Sequence, residues 1–87
     1  MLNVINIKDV KLSIAELVKI LRKQEKLTQE QLADKLGLSR ITIKNLERGN
    51  NATLDTLFKV LQYFGALEDF RDYIDSQVQN KNHKSLY

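Results

Sequence analysis

The segment LTQEQLADKLGLSRITIKNLERG, Leu27 to Gly49, constrains the fold more than any other. Thr28 followed three residues later by Gln31 forms a capping box, in which each side chain satisfies a backbone N–H at the start of a helix. The helix it opens is expected from about Gln29 to Leu36. Gly37 then supplies a left-handed backbone conformation at little steric cost, ending that helix and turning the chain. Leu38 plugs the corner, and Ser39 caps a second helix that ends near Glu47. Two helices this short are marginal alone and must dock on a scaffold.

The flanking sequence supplies that scaffold. Ser13 with Glu16 forms a second capping box, and Ile14, Leu17, Val18 and Leu21 give the apolar stripe of a helix reaching Gln24 or Lys26. Leu32, Ala33, Leu36, Ile43 and Leu46 continue the core. Thr53 caps a fourth helix that is apolar over most of its circumference (Leu54, Leu57, Phe58, Val60, Leu61, Phe64) and stops at Gly65. A fifth is expected from about Ala66 to Gln79. Its apolar positions are Leu67, Phe70, Val78 and either Ile74 or Tyr73, with Glu68, Asp69, Asp72 and Asp75 on its outer faces. The domain therefore spans residues 13–79 and is all-α. Residues 1–12 form an arm whose Leu2, Val4, Ile5, Ile7 and Val10 favour a short extended segment, which either pairs with its copy in a dimer or lies on the helices. Residues 80–87 form a flexible tail.

Charge is unevenly spread over a chain whose net value is only +3. Residues 11–50 carry nine Lys or Arg against five acids, and residues 51–79 two against five. One basic end facing a polyanion, with the acidic end turned away, accounts for this polarity; a solvated surface with chance asymmetry accounts for it equally well. The absence of cysteine excludes disulfides and thiolate metal sites. The apolar runs are too short for a membrane span, and the N-terminus lacks the pattern of a signal peptide, so a cytoplasmic protein without membrane contact is expected. The sole histidine, His83, has no ligand cluster around it, and the carboxylates of the fifth helix read as a solvated face. Neither a metal site, a cofactor nor an enzyme is implied.

A helix, a short glycine-containing turn and a second helix is the layout of the DNA-binding helix-turn-helix. TQEQLADKLGLSRITIKNLERG resembles the signature of the Cro/C1-type regulators, the xenobiotic-response-element (XRE) family, and the likeness runs from about residue 13 to 65. It implies a compact five-helix, lambda-repressor-like domain that binds double-stranded DNA as a homodimer and mostly represses transcription. A helix entering the roughly 12 Å major groove needs exposed side chains that reach base edges. With Ile43 and Leu46 turned inward, Arg40, Ile41, Lys44 and Asn45 are the candidate base readers. Arg40 matches guanine O6 and N7, and Ile41 a thymine methyl.

Gln29 falls where the family uses a glutamine to bind the DNA backbone. Ser39, Thr42, Arg48, Asn50 and Asn51 are the other candidate phosphate contacts, with Ser39 and Thr42 equally readable as caps. Arg22 and Glu47 align with the family's structural ion pair between the first and third helices. The loop NNAT lacks the lysine and proline common there, which should weaken backbone binding. Phe58, Val60, Tyr63, Phe70 and Ile74 exceed what a small core needs and are the candidate dimer interface.

TLFKVLQYFGALEDFRDYI also resembles the end of helix-turn-helix partners found beside HipA-type kinases. This gives an alternative: an antitoxin that represses its own operon and binds a toxin partner. A protein-binding adaptor that keeps the fold without touching DNA is a further class, opposed by Arg40, Lys44 and Gln29.

Overall fold

A computed structural model describes residues 4–85. Five helices follow one another: α1 (Ile7–Gln24), α2 (Gln29–Leu36), α3 (Arg40–Leu46), α4 (Leu54–Tyr63) and α5 (Leu67–Ser85). The described residues contain no strand. The all-α, five-helix expectation holds.

Local chemistry sets most of these boundaries. Thr28 Oγ1 accepts from the Gln31 N–H at 3.0 Å while Gln31 Oε1 accepts from the Thr28 N–H at 2.9 Å, completing the expected box. Ser39 and Thr53 cap α3 and α4 by accepting from the N–H groups of Thr42 and Thr56, each at 3.1 Å. α2 ends in a paired closure: Gly37, at φ 67°, donates its N–H to Asp34 O, and Leu38 donates to Ala33 O. The same closure ends α1, but there the left-handed residue is Lys26, at φ 59°. The residues that follow, Leu27 and Leu38, both tuck against the core.

That core is Val18, Leu32, Ala33, Ile43, Leu46 and Val60, with Ile14, Leu36, Leu57 and Phe64 packed around it. Every helix but α5 contributes. α5 rests chiefly on α4, with the Phe58 and Phe70 rings 5.7 Å apart, and runs on past the body of a molecule 51 Å long and 27 Å wide.

Four expectations are corrected. α1 begins at Ile7, not Ser13: Asn6 and Asp9 form their own reciprocal box, with bonds of 3.0 and 2.8 Å. No helix breaker follows, so residues 7–12 satisfy their backbone groups within the helix and need no partner strand. Residues 4–6 have no regular structure, and the part of the extended-segment expectation on residues 1–3 lies outside the described residues. α5 likewise continues to Ser85, so residues 80–85 are helical rather than tail. Leu17, assigned to the core, is 43% exposed, and Ala15 takes the buried place beside Val18. Val60, assigned to the dimer interface, has no exposed surface at all and belongs to the core. On a helix apolar nearly all round, the sequence does not say which side meets the body.

Lys26 bears the usual cost of a left-handed non-glycine residue, about 1 kcal/mol. Lys26→Gly is therefore expected to raise stability by about 0.5–1 kcal/mol, read as a higher midpoint in thermal or urea unfolding.

Candidate nucleic-acid interface

The site is built on a buried charge. Glu47, the residue after α3, is 2% exposed. Its carboxylate accepts from Arg22 Nε at 2.6 Å and Nη2 at 2.9 Å, in the two-pronged geometry the guanidinium fork allows, and from Gln29 Nε2 at 3.0 Å. Arg22 Nη1 completes the arrangement by donating to Leu27 O at 2.7 Å. The hydrogen bond to Glu47, helped by its charge, holds the Arg22 guanidinium above its ordinary value, against the opposing effect of burial. A raised value means that the stabilisation Arg22 gains from its partner is fully present at neutral pH and is lost only in strongly alkaline solution, as pH rises through the raised value. The ion pair expected from Arg22 and Glu47 is present. The role of Gln29 as its third member is a contact that sequence reasoning missed; its spacing from Glu47 carries no signal for it.

Held this way, α3 turns one face outward. Arg40 and Ile41 are exposed, Ile41 at 68%, while Lys44 and Asn45 are half-buried at its edge. Ile43 and Leu46 point into the core. Four chemically different groups thus share a surface: a forked cation, a branched apolar side chain, an ammonium and an amide. Beside them a polar cleft of about 490 Å3 is lined by Arg22, Lys26, Thr28, Gln29, Glu30 and Arg40, where the N-terminal turns of α2 and α3 meet. Its cations outnumber its one acid, and backbone N–H groups at helix starts add positive potential.

The other expected contacts fall in three places. Ser39 and Thr42 share a hydroxyl bond of 2.8 Å within the α3 cap. Arg48 is exposed and lines a second cleft with Leu12, Glu16 and Lys19 of α1. Asn50 and Asn51 are exposed in the loop after Gly49, whose N–H closes α3 onto Leu46 O while the Asn50 N–H returns to Asn45 O. Asn50 Nδ2 also reaches Asn45 Oδ1 at 3.4 Å, tying the loop to the outward face of α3.

Residues 18–70 match the model of the helix-turn-helix family. The chain belongs to that family, in its Cro/C1-type branch. Among curated relatives it is 44% identical over 50 residues to antitoxin HipB of Escherichia coli K12, an alignment covering 56% of this chain and 57% of that protein. It is 42% identical over 62 residues to an uncharacterised HTH-type transcriptional regulator of Methanocaldococcus jannaschii, covering 69% of this chain and 94% of the relative. The match thus spans little more than half the length of HipB. Among solved structures, a chain of a HipA–HipB–O2–O3 complex superposes with a TM-score of 0.58 at 33% identity, over 75% of this chain and 87% of its own length. The helix-turn-helix of this family is α2, the turn at Gly37, and α3.

Removing the Glu47 carboxylate strands a guanidinium that is largely buried. Glu47→Ala is expected to lower stability by about 3 kcal/mol, measured by urea unfolding, before any change in base preference. An unchanged melting temperature combined with altered base preference would refute the structural role.

Proposed function

We propose that this chain is a sequence-specific transcriptional repressor that binds double-stranded DNA as a homodimer. The observation that carries the reading is the outward face of α3. Arg40, Ile41, Lys44 and Asn45 stand together on a helix whose orientation is fixed by a buried ion pair, as reading base edges in the major groove requires. Arg40 contacts guanine through its forked donors, Ile41 a thymine methyl, and Lys44 and Asn45 bases or phosphates. Gln29, Ser39, Thr42, Arg48, Asn50 and Asn51 are assigned to the DNA backbone. They fix register rather than sequence preference.

Dimerisation is assigned to α5. Phe70, Tyr73, Ile74 and Val78 are exposed along it, with Tyr63 at the end of α4 close to half-exposed. Phe58 is half-buried against Phe70 and contributes by holding α5 in place. Pairing α5 with its copy across a twofold axis covers these side chains and sets two α3 helices about 34 Å apart, on successive major grooves of a near-palindromic operator.

A second reading keeps the same DNA chemistry and adds a protein partner. The similarity to antitoxin HipB and to a chain from a complex that also contains HipA supports an antitoxin that represses its own operon and binds a toxin. Co-purification of untagged neighbouring gene products with this chain separates this reading from a stand-alone repressor.

Selection of bound duplexes from a random pool tests the proposal. A near-palindromic motif is expected to enrich, and Arg40→Ala is expected to relax preference at one guanine position per half-site, a discrimination of about 1–3 kcal/mol. No enrichment would remove the DNA reading, whereas enrichment unchanged by Arg40→Ala would remove only that residue's assignment. In sedimentation at micromolar concentration the free chain is expected to be dimeric and Ile74→Glu monomeric; a monomeric wild type would overturn the α5 assignment.

A further inference from the structure

Beyond Arg48, the connection from α3 to α4 has no charge of its own. Residues 49–54, GNNATL, contain neither lysine nor arginine, although Asn50 and Asn51 lie where the DNA backbone is expected. The additional six residues of α1 bring a cation to this loop from outside it. Lys11 stands on that part of the helix, its Nζ donating to Asn51 Oδ1. Its half-buried stem lines an apolar pocket of about 160 Å3 with Ile14, Leu46, Leu54 and Leu57, which directs the ammonium toward the loop. One residue further, Leu12 lies on the bare backbone of Gly49: a Cβ built there would meet Leu12 Cδ2 at 2.8 Å. Two adjacent α1 side chains thus seat the loop, and the loop is tied through Asn50 to Asn45 of α3.

The bond to Asn51 also has a direction. An ammonium has three donors and no acceptor, so it must face the amide oxygen, which turns the Asn51 NH2 group the other way. A phosphate accepts and never donates, and the group thus presented to it is the one it requires. Among the described residues the Lys11 ammonium joins no ion pair, so none of their carboxylates neutralises its charge.

We infer that Lys11 is a DNA-backbone residue: it supplies to the 49–54 loop the positive charge that the loop's own sequence lacks, and it orients Asn51 as a phosphate donor. This rests on the DNA-binding reading above. Lys11 lies outside residues 18–70, the segment shared with the family model.

The test is the salt dependence of binding to the selected duplex between about 50 and 200 mM salt, where each neutralised phosphate adds about 0.9 to the slope of log affinity against log salt. Lys11→Met, which removes two such contacts from the proposed homodimer, is expected to flatten that slope by about 1.8, so that the variant loses about twelvefold less affinity across the range than the wild type. Lys11→Arg is expected to keep the wild-type slope, as is the double substitution Lys11→Met with Asn51→Lys, which moves the cation into the loop. Asn51→Asp leaves the α1 side chains in place but pairs the ammonium internally, and is expected to flatten the slope as well. Equal slopes for wild type, Lys11→Met and Asn51→Asp would overturn the inference, even if affinity fell, because the lysine would then only position the loop. A wild-type chain that retains no duplex at 50 mM salt would instead overturn the DNA reading.

Discussion

A carboxylate withdrawn from water is the constraint on which the arrangement of the first three helices depends. Taking such an ion into a protein interior costs several kcal/mol, and the cost is offset only when its oxygens are well bonded. Glu47 receives three side-chain donors, two from Arg22 on α1 and one from Gln29 on α2, while Arg22 reaches on to Leu27 O between those helices. Shifting α1 or α3 by a turn would leave a charge without a partner, and shifting α2 would cost the carboxylate its third donor. Apolar packing of Val18, Leu32 and Ile43 brings α1, α2 and α3 together, but such packing tolerates sliding. The ionic bonds do not, and they give α3 one defined angle to the rest of the domain.

What the sequence made legible follows from the range of the interactions involved. The caps at Thr28, Ser39 and Thr53 and the turn at Gly37 depend on bonds spanning three to five residues, so residue type and spacing suffice to locate them. The exposed face of α3 was legible because Ile43 and Leu46 fix its phase. The Arg22–Glu47 pair spans 25 residues and came only through family resemblance, while the Gln29 bond to the same carboxylate was not anticipated at all.

Boundaries failed where two acceptable signals competed. Ser13 with Glu16 is a sound capping box, but Asn6 with Asp9 is another, and nothing between them stops the helix. The β-branched residues of the N-terminal stretch favour a strand only where a neighbouring strand exists to bond it. Val60 shows a different failure. Hydrophobicity alone does not separate burial against the chain's own helices from burial against a partner, and on α4 the two faces merge. Phe70 and Ile74 stay exposed in the single chain, because α5 leaves the body early and carries acids between its apolar positions.

Length and rigidity run opposite ways in this molecule. α3 has seven residues, too few to persist alone, yet Ile43, Leu46 and Glu47 bind it to the centre, so it opens only when much of the domain opens. α5 has nineteen, and from Arg71 to Asn82 every residue but Gln77 is exposed, so its later turns separate from solvent by little more than their own backbone bonds. Amide hydrogens in α3 are therefore expected to exchange on the timescale of global unfolding, and those in the outer half of α5 on the far shorter one of local fraying. Under the proposed function, the face that reads base edges is therefore a stiff template whose geometry is settled before any ligand arrives, and the face assigned to a second copy is the one that assembly would stiffen.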